Sequence, residues 1–270
     1  MLNPHDIHLR LPPPPIGSLG DRDLRLRFLQ LSSEIRRRIP SPIELFGLEH
    51  RLVAHHYETD IKYSALDDAV GRGAHVEPNP RRILGRLSFE AIIYSYWQLF
   101  AEDKLTPGHV RDLAAVLGGH AGKTRKHTAR SGSVELGHKY FEPPPSENWA
   151  EDLLALARNF DDPITSALVV CGAVIIRHPL EDGNGRLARA LLWSRLSLMD
   201  EVHGPLAALN FVGSVNPAWV SRASTTLGKD GDWAGFASLY LAMLNYAAEL
   251  TLRLCDFGLI GRDQAGHHLA

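Results

Sequence analysis

The sequence predicts a mainly α-helical bundle interrupted once by a hairpin-like flap. Three observations carry this. The run Ala167-Leu-Val-Val-Cys-Gly-Ala-Val-Ile-Ile176 is apolar on every face, as a helix at the centre of a bundle must be. Asp162-Pro163 and Thr106-Pro107 each set a capping residue before a proline, the arrangement that opens helices. Residues 119–148 break that texture with glycines, basic residues and short Val or Tyr-Phe pieces ending in Pro143-Pro144-Pro145. Such a stretch reads as a hairpin with its turn signals.

Taken in order, residues 1–20 hold Leu11-Pro-Pro-Pro-Pro15 and a Gly-Ser-Leu-Gly turn, so an extended or loosely attached leader is expected. From Asp21 to Arg38, Leu24, Phe28, Leu31 and Ile35 recur at spacings of three and four, an amphipathic helix ended by Pro40 and Pro42. A further helical stretch is expected over 44–70, closed by Gly71 and Gly73. Leu87 to Phe100 reads as a core helix. Thr106-Pro107 opens another to Leu117, stopped by Gly118-Gly119. After the flap, helices are expected over Trp149–Asn159, from Asp162 to Arg177, and from about Gly185 to Met199. Pro179 and Gly183 make a loop between the last two. Two more are expected near Pro217–Leu227 and Trp233–Cys255. The organisation is thus a leader (1–20), an N-terminal helical extension (21–84), a principal domain (85–256) and a loose tail (257–270). No internal repeat is visible.

The 270 residues are 44% hydrophobic and 22% charged, ample for a buried core. The formal net charge is −2, without the basic excess of proteins that hold nucleic acid by counterion release. Direct nucleic-acid binding is therefore not expected. Cys171 and Cys255 form no CxxC pair or disulfide framework, which suits a reducing compartment. The N-terminus lacks the layout of a secretory signal, and the longest apolar run falls short of the ~20 residues of a spanning helix. A cytoplasmic protein with no membrane partner is expected.

The segment with chemistry lies between the two most apolar helices: His178-Pro-Leu-Glu-Asp182-Gly-Asn184-Gly-Arg186-Leu-Ala-Arg189. A helix starting at Asn184 or Gly185 turns backbone N–H groups and its positive dipole end towards the loop. Gly183 and Gly185 let an anion approach that backbone, as phosphate cradles require. Arg186 and Arg189 share a helical face and carry the guanidinium forks that bind phosphate oxygens. Asp182 offers the hard carboxylate oxygen that Mg²⁺ prefers. His178 is a base whose ordinary pKa, about 6.5, suits deprotonation of a hydroxyl.

These residues closely resemble the signature of the Fic (Fic/Doc) family, His-x-Phe-x-Asp/Glu-Gly-Asn-Gly-Arg-x-x-Arg, with Leu180 in place of the Phe. That position anchors the loop, so Leu should fill it less completely without removing chemistry. Gly122-Lys-Thr-Arg125 resembles the family's Gly-x-x-Arg element, and Tyr140-Phe-Glu-Pro-Pro-Pro145 its exit from the flap. The resemblance spans about residues 85–250 and implies a Fic-fold helical bundle with a β-hairpin flap over the active site. It implies an enzyme that moves AMP from ATP onto a Ser, Thr or Tyr hydroxyl of a target protein and releases pyrophosphate. In that scheme His178 is the base and Asp182 holds Mg²⁺ between the α- and β-phosphates. Gly183, Asn184 and Gly185 bind phosphate through backbone and amide groups, Arg186 holds the β-phosphate, and Arg189 serves the distal charge. The target segment would lie beside the flap at 131–140, plausibly as an added strand.

The branch that transfers phosphate typically has Lys at the second motif glycine, which is Gly185 here. Transfer of UMP, GMP or phosphocholine, removal of AMP, or an idle Fic fold stay open as alternatives. The inhibitory pattern Ser/Thr-x-x-x-Glu-Gly/Asn has no complete match: Ser131 and Glu135 have the spacing, but Leu136 follows. Restraint by a separate inhibitory antitoxin is thus an open partner. Three weaker candidates rank low. His55 and His56 are adjacent and do not share a helical face with which to grip a metal. Lys123-Thr-Arg-Lys-His127 reads as a solvated loop, and Trp219 as a core residue.

Overall fold

The computed structural model describes residues 7–8, 13–14, 17–45, 91–118, 123–126, 129–131, 140–142, 145–206, 208–209, 212 and 217–266. Along them run β1 (Ile7–His8), α1 (Arg22–Arg38), α2 (Trp97–Ala101), α3 (Pro107–Gly118), β2 (Ala129–Ser131) and β3 (Tyr140–Glu142). Then follow α4 (Trp149–Arg158), α5 (Pro163–Arg177), α6 (Asn184–Leu196), α7 (Pro217–Asp230) and α8 (Trp233–Gly266). The fold is mainly helical, as the periodicities predict. The helix expected over 44–70 lies outside the described residues from position 46 onwards.

The chain divides into two compact units, interleaved along the sequence rather than consecutive. The first comprises Met1–Asp21, Ser95–Met199 and Ser221–Tyr240, and the second Arg22–Tyr94, Asp200–Val220 and Leu241–Ala270.

Helix α5 centres the first unit. Asp162 takes extended backbone geometry, its carboxylate accepts the Thr165 N–H at 3.0 Å, and Pro163 begins the helix. Every residue from Ile164 to Val174 is buried, so α5 has no solvated face. It packs along α6 and α4, while α6 also meets α2 and α3. Asp103, with a positive φ of 48°, lies in the turn after α2. Its carboxylate accepts from the buried Arg195 of α6 at 2.8 Å, and Arg195 also donates to Ser166 at 2.9 Å. That pairing satisfies a guanidinium in the core. The Cys171 thiol is fully buried, bonded to the Tyr240 hydroxyl, and pushed by burial up to about 12. It is an inert core residue.

The Pro-rich leader is tied in where it is described. Ile7 and His8 pair in parallel with Tyr140 and Phe141, and Leu19 is buried with its N–H bonded to Thr165 Oγ1 at 2.9 Å. An apolar side chain and a backbone bond anchor what composition alone reads as loose. β2 and β3 are antiparallel, with Ala129 opposite Glu142. Residues 132–139, where a flap would carry its target, lie outside the described residues.

In the second unit, Phe28, Ser32 and Ile35 form the buried stripe of α1. Arg27 pairs with Glu249, Arg38 with Asp256 at 2.6 Å, and Asn245 Nδ2 donates to the Leu24 carbonyl at 2.9 Å. These bonds seat α1 on the later part of α8. That helix runs to Gly266, past the stop expected at Cys255. Gly258 and Gly261 weaken a helix by about 1 kcal/mol each without ending it, and no proline follows. Among the described residues, no helix is long and apolar enough to cross a membrane.

Candidate active site

The site is a short loop between α5 and α6. Helix α5 ends when His178 takes left-handed geometry, φ 46° and ψ 57°, while its N–H still donates to Val174 O. For a residue with a side chain this backbone costs roughly 1–2 kcal/mol, so something must hold it. The holding structure is a second strand of chain. Arg125 N–H donates to Pro179 O at 2.9 Å and Glu181 N–H to Lys123 O at 3.0 Å, with Thr124 bridged to Leu180. Thr124 in turn accepts the Trp149 indole N–H at 3.2 Å.

Two internal braces finish the loop. Leu180, at the position that the resemblance makes the loop's anchor, is fully buried. Asn184, 4% exposed, clasps the same residue twice: its Oδ1 accepts the Leu180 N–H at 2.9 Å, and its Nδ2 donates to the Leu180 carbonyl at 2.8 Å. The Asn184 side chain therefore shapes the loop.

Gly183, whose φ is +89°, is the capping residue before helix α6. A Cβ there would lie 2.9 Å from the Gly118 Cα at the end of α3, and a Cβ on Gly118 would lie 3.2 Å from the Asp182 carbonyl. The two glycines let α3 and the loop touch backbone to backbone. The first helical bond of α6 runs from Leu187 N–H to Gly183 O, so the amides of Asn184, Gly185 and Arg186 precede the ladder. Gly185 is exposed, and among the described residues a Cβ on it would meet nothing nearer than the Arg189 guanidinium at 4.0 Å. Asp182, Gly185, Arg186 and Arg189 form one strip at helical spacing. Arg186 pairs with Asp182 at 2.9 Å, and Arg189 donates to Gly185 O at 3.2 Å.

His178 is half-buried, and its imidazole is held below the usual range. Burial is the larger cause and the positive charge of Arg125 the second. A hydrogen bond to the Ile175 carbonyl and the Asp182 carboxylate oppose them. The ring is thereby kept neutral, the form a general base needs.

The structure gathers His178, Asp182, Gly183, Asn184, Gly185, Arg186 and Arg189 on this loop and the first turns of α6. Among the described residues no cluster of three or more His, Cys, Asp or Glu could cage a metal. The exposed carboxylate of Asp182 fits an ion that draws its other ligands from phosphate and water, as Mg²⁺ does. The pair His55 and His56 and the Trp219 side chain lie outside what is described.

Sequence reasoning missed two things. Arg125, read as part of a solvated loop, is 7% exposed. Only its place in the Gly-x-x-Arg spacing hints at this. Tyr240 stacks on Phe236 with centroids 4.5 Å apart and bonds Cys171 close enough to Arg189 to feel its charge. No sequence pattern marks that pairing.

With this geometry in place, residues 104–196 match the model of the Fic/DOC family. Members of this family commonly transfer nucleotides or other groups to proteins. A comparison with curated proteins finds no match. Among solved structures, the chain is similar to a Fic family protein from Desulfovibrio desulfuricans, with 17% identity and a TM-score of 0.54, covering 89% of this chain and 76% of that one. A Fic domain containing signaling protein from Bacteroides thetaiotaomicron aligns at 19% identity and a TM-score of 0.48, over 85% of this chain and 94% of that one. The first likeness supports the fold, and the motif match supports the family. The part of this chain that is similar to the Fic/DOC family is residues 104–196.

Proposed function

We propose that this protein is an adenylyltransferase that moves AMP from ATP onto a Ser, Thr or Tyr hydroxyl of another protein. The observation that carries the reading is the bare first turn of α6. Among the described residues nothing requires glycine at position 185: a Cβ there would meet only the Arg189 guanidinium, at 4.0 Å, and the backbone is ordinary helix. An exposed glycine beside Arg186 and Arg189 suits a phosphate chain lying close against the backbone.

In this reading the triphosphate lies over the start of α6. The amides that precede the helical ladder and the positive end of the helix receive its oxygens, and Arg186 and Arg189 hold the β-phosphate and the distal charge. Asp182 would hold Mg²⁺, which neutralises phosphate charge when bound. His178 takes the proton of the target hydroxyl as its oxygen forms the new bond to the α-phosphorus. The bond from that phosphorus to the bridging oxygen breaks, and pyrophosphate departs. There is little covalent work for the protein, so positioning and charge stabilisation carry the catalysis.

The partner in this reading is a protein segment presented beside residues 131–140. ATP labelled separately at the α- and γ-positions tests the transfer. Label should reach protein from the α-position alone, with pyrophosphate released and an adenylyl adduct on a hydroxyl residue by mass spectrometry. Label arriving from the γ-position would overturn the AMP reading in favour of phosphate transfer.

A further inference from the structure

The guanidinium of Arg125 is placed at the end of α5 with unusual completeness. Its backbone is fixed first, by the bond to Pro179 O at 2.9 Å and by the Thr124 bridge to Leu180. Its side chain then turns onto the helix end, where Nε donates to the His178 carbonyl at 2.9 Å and a terminal nitrogen to the Arg177 carbonyl at 3.1 Å. The last carbonyls of a helix have no partners within it, and a cation there also meets the negative end of the dipole. An ordinary C-cap glycine would serve that need more simply. Here the residue in the left-handed position is instead His178 itself, so the cap and the base are one residue.

We propose that Arg125 is the positioning residue for His178: its fork grips the Arg177 and His178 carbonyls, holds the left-handed turn, and so aims the imidazole. The inference rests on His178 being the base of the transfer. The arrangement has a second effect. Among the described residues, the charged groups that act on the imidazole are Arg125, from the segment against α5, and Asp182, from the loop. Arg125 favours the neutral ring and Asp182 the charged one, alongside the larger effect of burial. One side chain thus holds the direction of the base and adds to the burial that keeps its ring neutral. A merely structural cap would do neither.

The test uses the full chain with Arg125→Gln and Arg125→Lys beside the wild type. Three quantities are measured: nucleotide affinity by calorimetry with Mg·ATP, kcat against pH, and the titration of the His178 ring by NMR, assigned with His178→Gln. Arg125→Gln should lower kcat about 10²-fold, the scale of a misplaced catalytic group. It should leave nucleotide affinity within about twofold, and should move both the His178 titration and the acid limb of kcat to higher pH. Arg125→Lys keeps the charge without the fork. Its acid limb should stay near the wild-type position while kcat remains low. A folded Arg125→Gln with wild-type kcat and an unmoved His178 titration overturns the proposal. If Arg125→Gln does not fold, Arg125→Lys decides: wild-type kcat there overturns the proposal, and a reduced kcat with an unmoved acid limb supports it. The NMR arm needs no turnover. A His178 titration that follows Arg125 in a protein that transfers nothing would sink the transferase reading and leave the Arg125–His178 coupling standing.

Discussion

His178 combines a strained backbone with a ring held neutral, and its substitution separates chemistry from binding. His178→Ala removes the proton acceptor and leaves the cradle at the start of α6 in place. Transfer should fall by about 10²–10⁴, the usual worth of a general base, while ATP affinity by calorimetry stays near wild type. Wild-type transfer by this variant would remove His178 from the mechanism. Arg186 is paired with Asp182 at 2.9 Å, and a phosphate would have to draw it from that carboxylate. The magnitudes say that this is no obstacle. Asp182 is 64% exposed, and an ion pair that open to water is worth about 0–1 kcal/mol. A charge-assisted bond to a phosphate oxygen is worth roughly 1.5–3 kcal/mol, so ligand wins the competition for Arg186.

The two motif glycines behave differently because the elements around them make different demands. Gly183 is required by the fold, through a φ of +89° and a Cβ position 2.9 Å from Gly118. Gly183→Ala combines left-handed strain of roughly 1–2 kcal/mol with overpacking of about 1–3 kcal/mol, and its thermal midpoint should fall by several degrees. Gly185→Lys should hold its thermal midpoint, since the Cβ has space, yet lose AMP transfer by crowding the phosphates. A Gly185→Lys variant with wild-type transfer would sink the argument from the bare first turn, and an undisturbed Gly183→Ala would sink the packing argument. The sequence revealed most of the surrounding elements because their signals are local. Asp162-Pro163 and Thr106-Pro107 mark the starts of α5 and α3, and Leu180 is buried in the loop. What escaped it depends on chain segments distant in sequence. The buried clasp of Arg125 on His178, the contact of Gly118 with Gly183, and the anchoring of Leu19 on Thr165 each join residues whose proximity only the fold creates. The resemblance assigns Asn184 to phosphate, and only the bonds to Leu180 reveal its work within the loop.

Across the whole molecule, each unit holds a described histidine whose folded value is depressed, and this gives stability a sign with pH. His178 lies in the first unit. His203 lies in the second, bonded through Nε2 to the Ile39 carbonyl at 2.6 Å. Burial lowers the His203 value first and the charge of Arg36 lowers it further, against the opposing hydrogen bond to Ile39. A histidine with a depressed folded value binds fewer protons folded than unfolded, so its stabilisation is complete above the ordinary value near 6.5 and is lost as pH falls through the folded one. Calorimetric midpoints should therefore decline between about pH 7.5 and pH 5, before most carboxylates are protonated. His203→Gln isolates the second unit's share. An amide can still donate to the Ile39 carbonyl but takes up no proton in this range, so the variant should lose less of its midpoint than the wild type over the same interval. His178 remains in that variant, so part of the decline should persist. An equal decline in both proteins would mean that His203 is not protonated on unfolding, and that the acid sensitivity of the fold arises elsewhere.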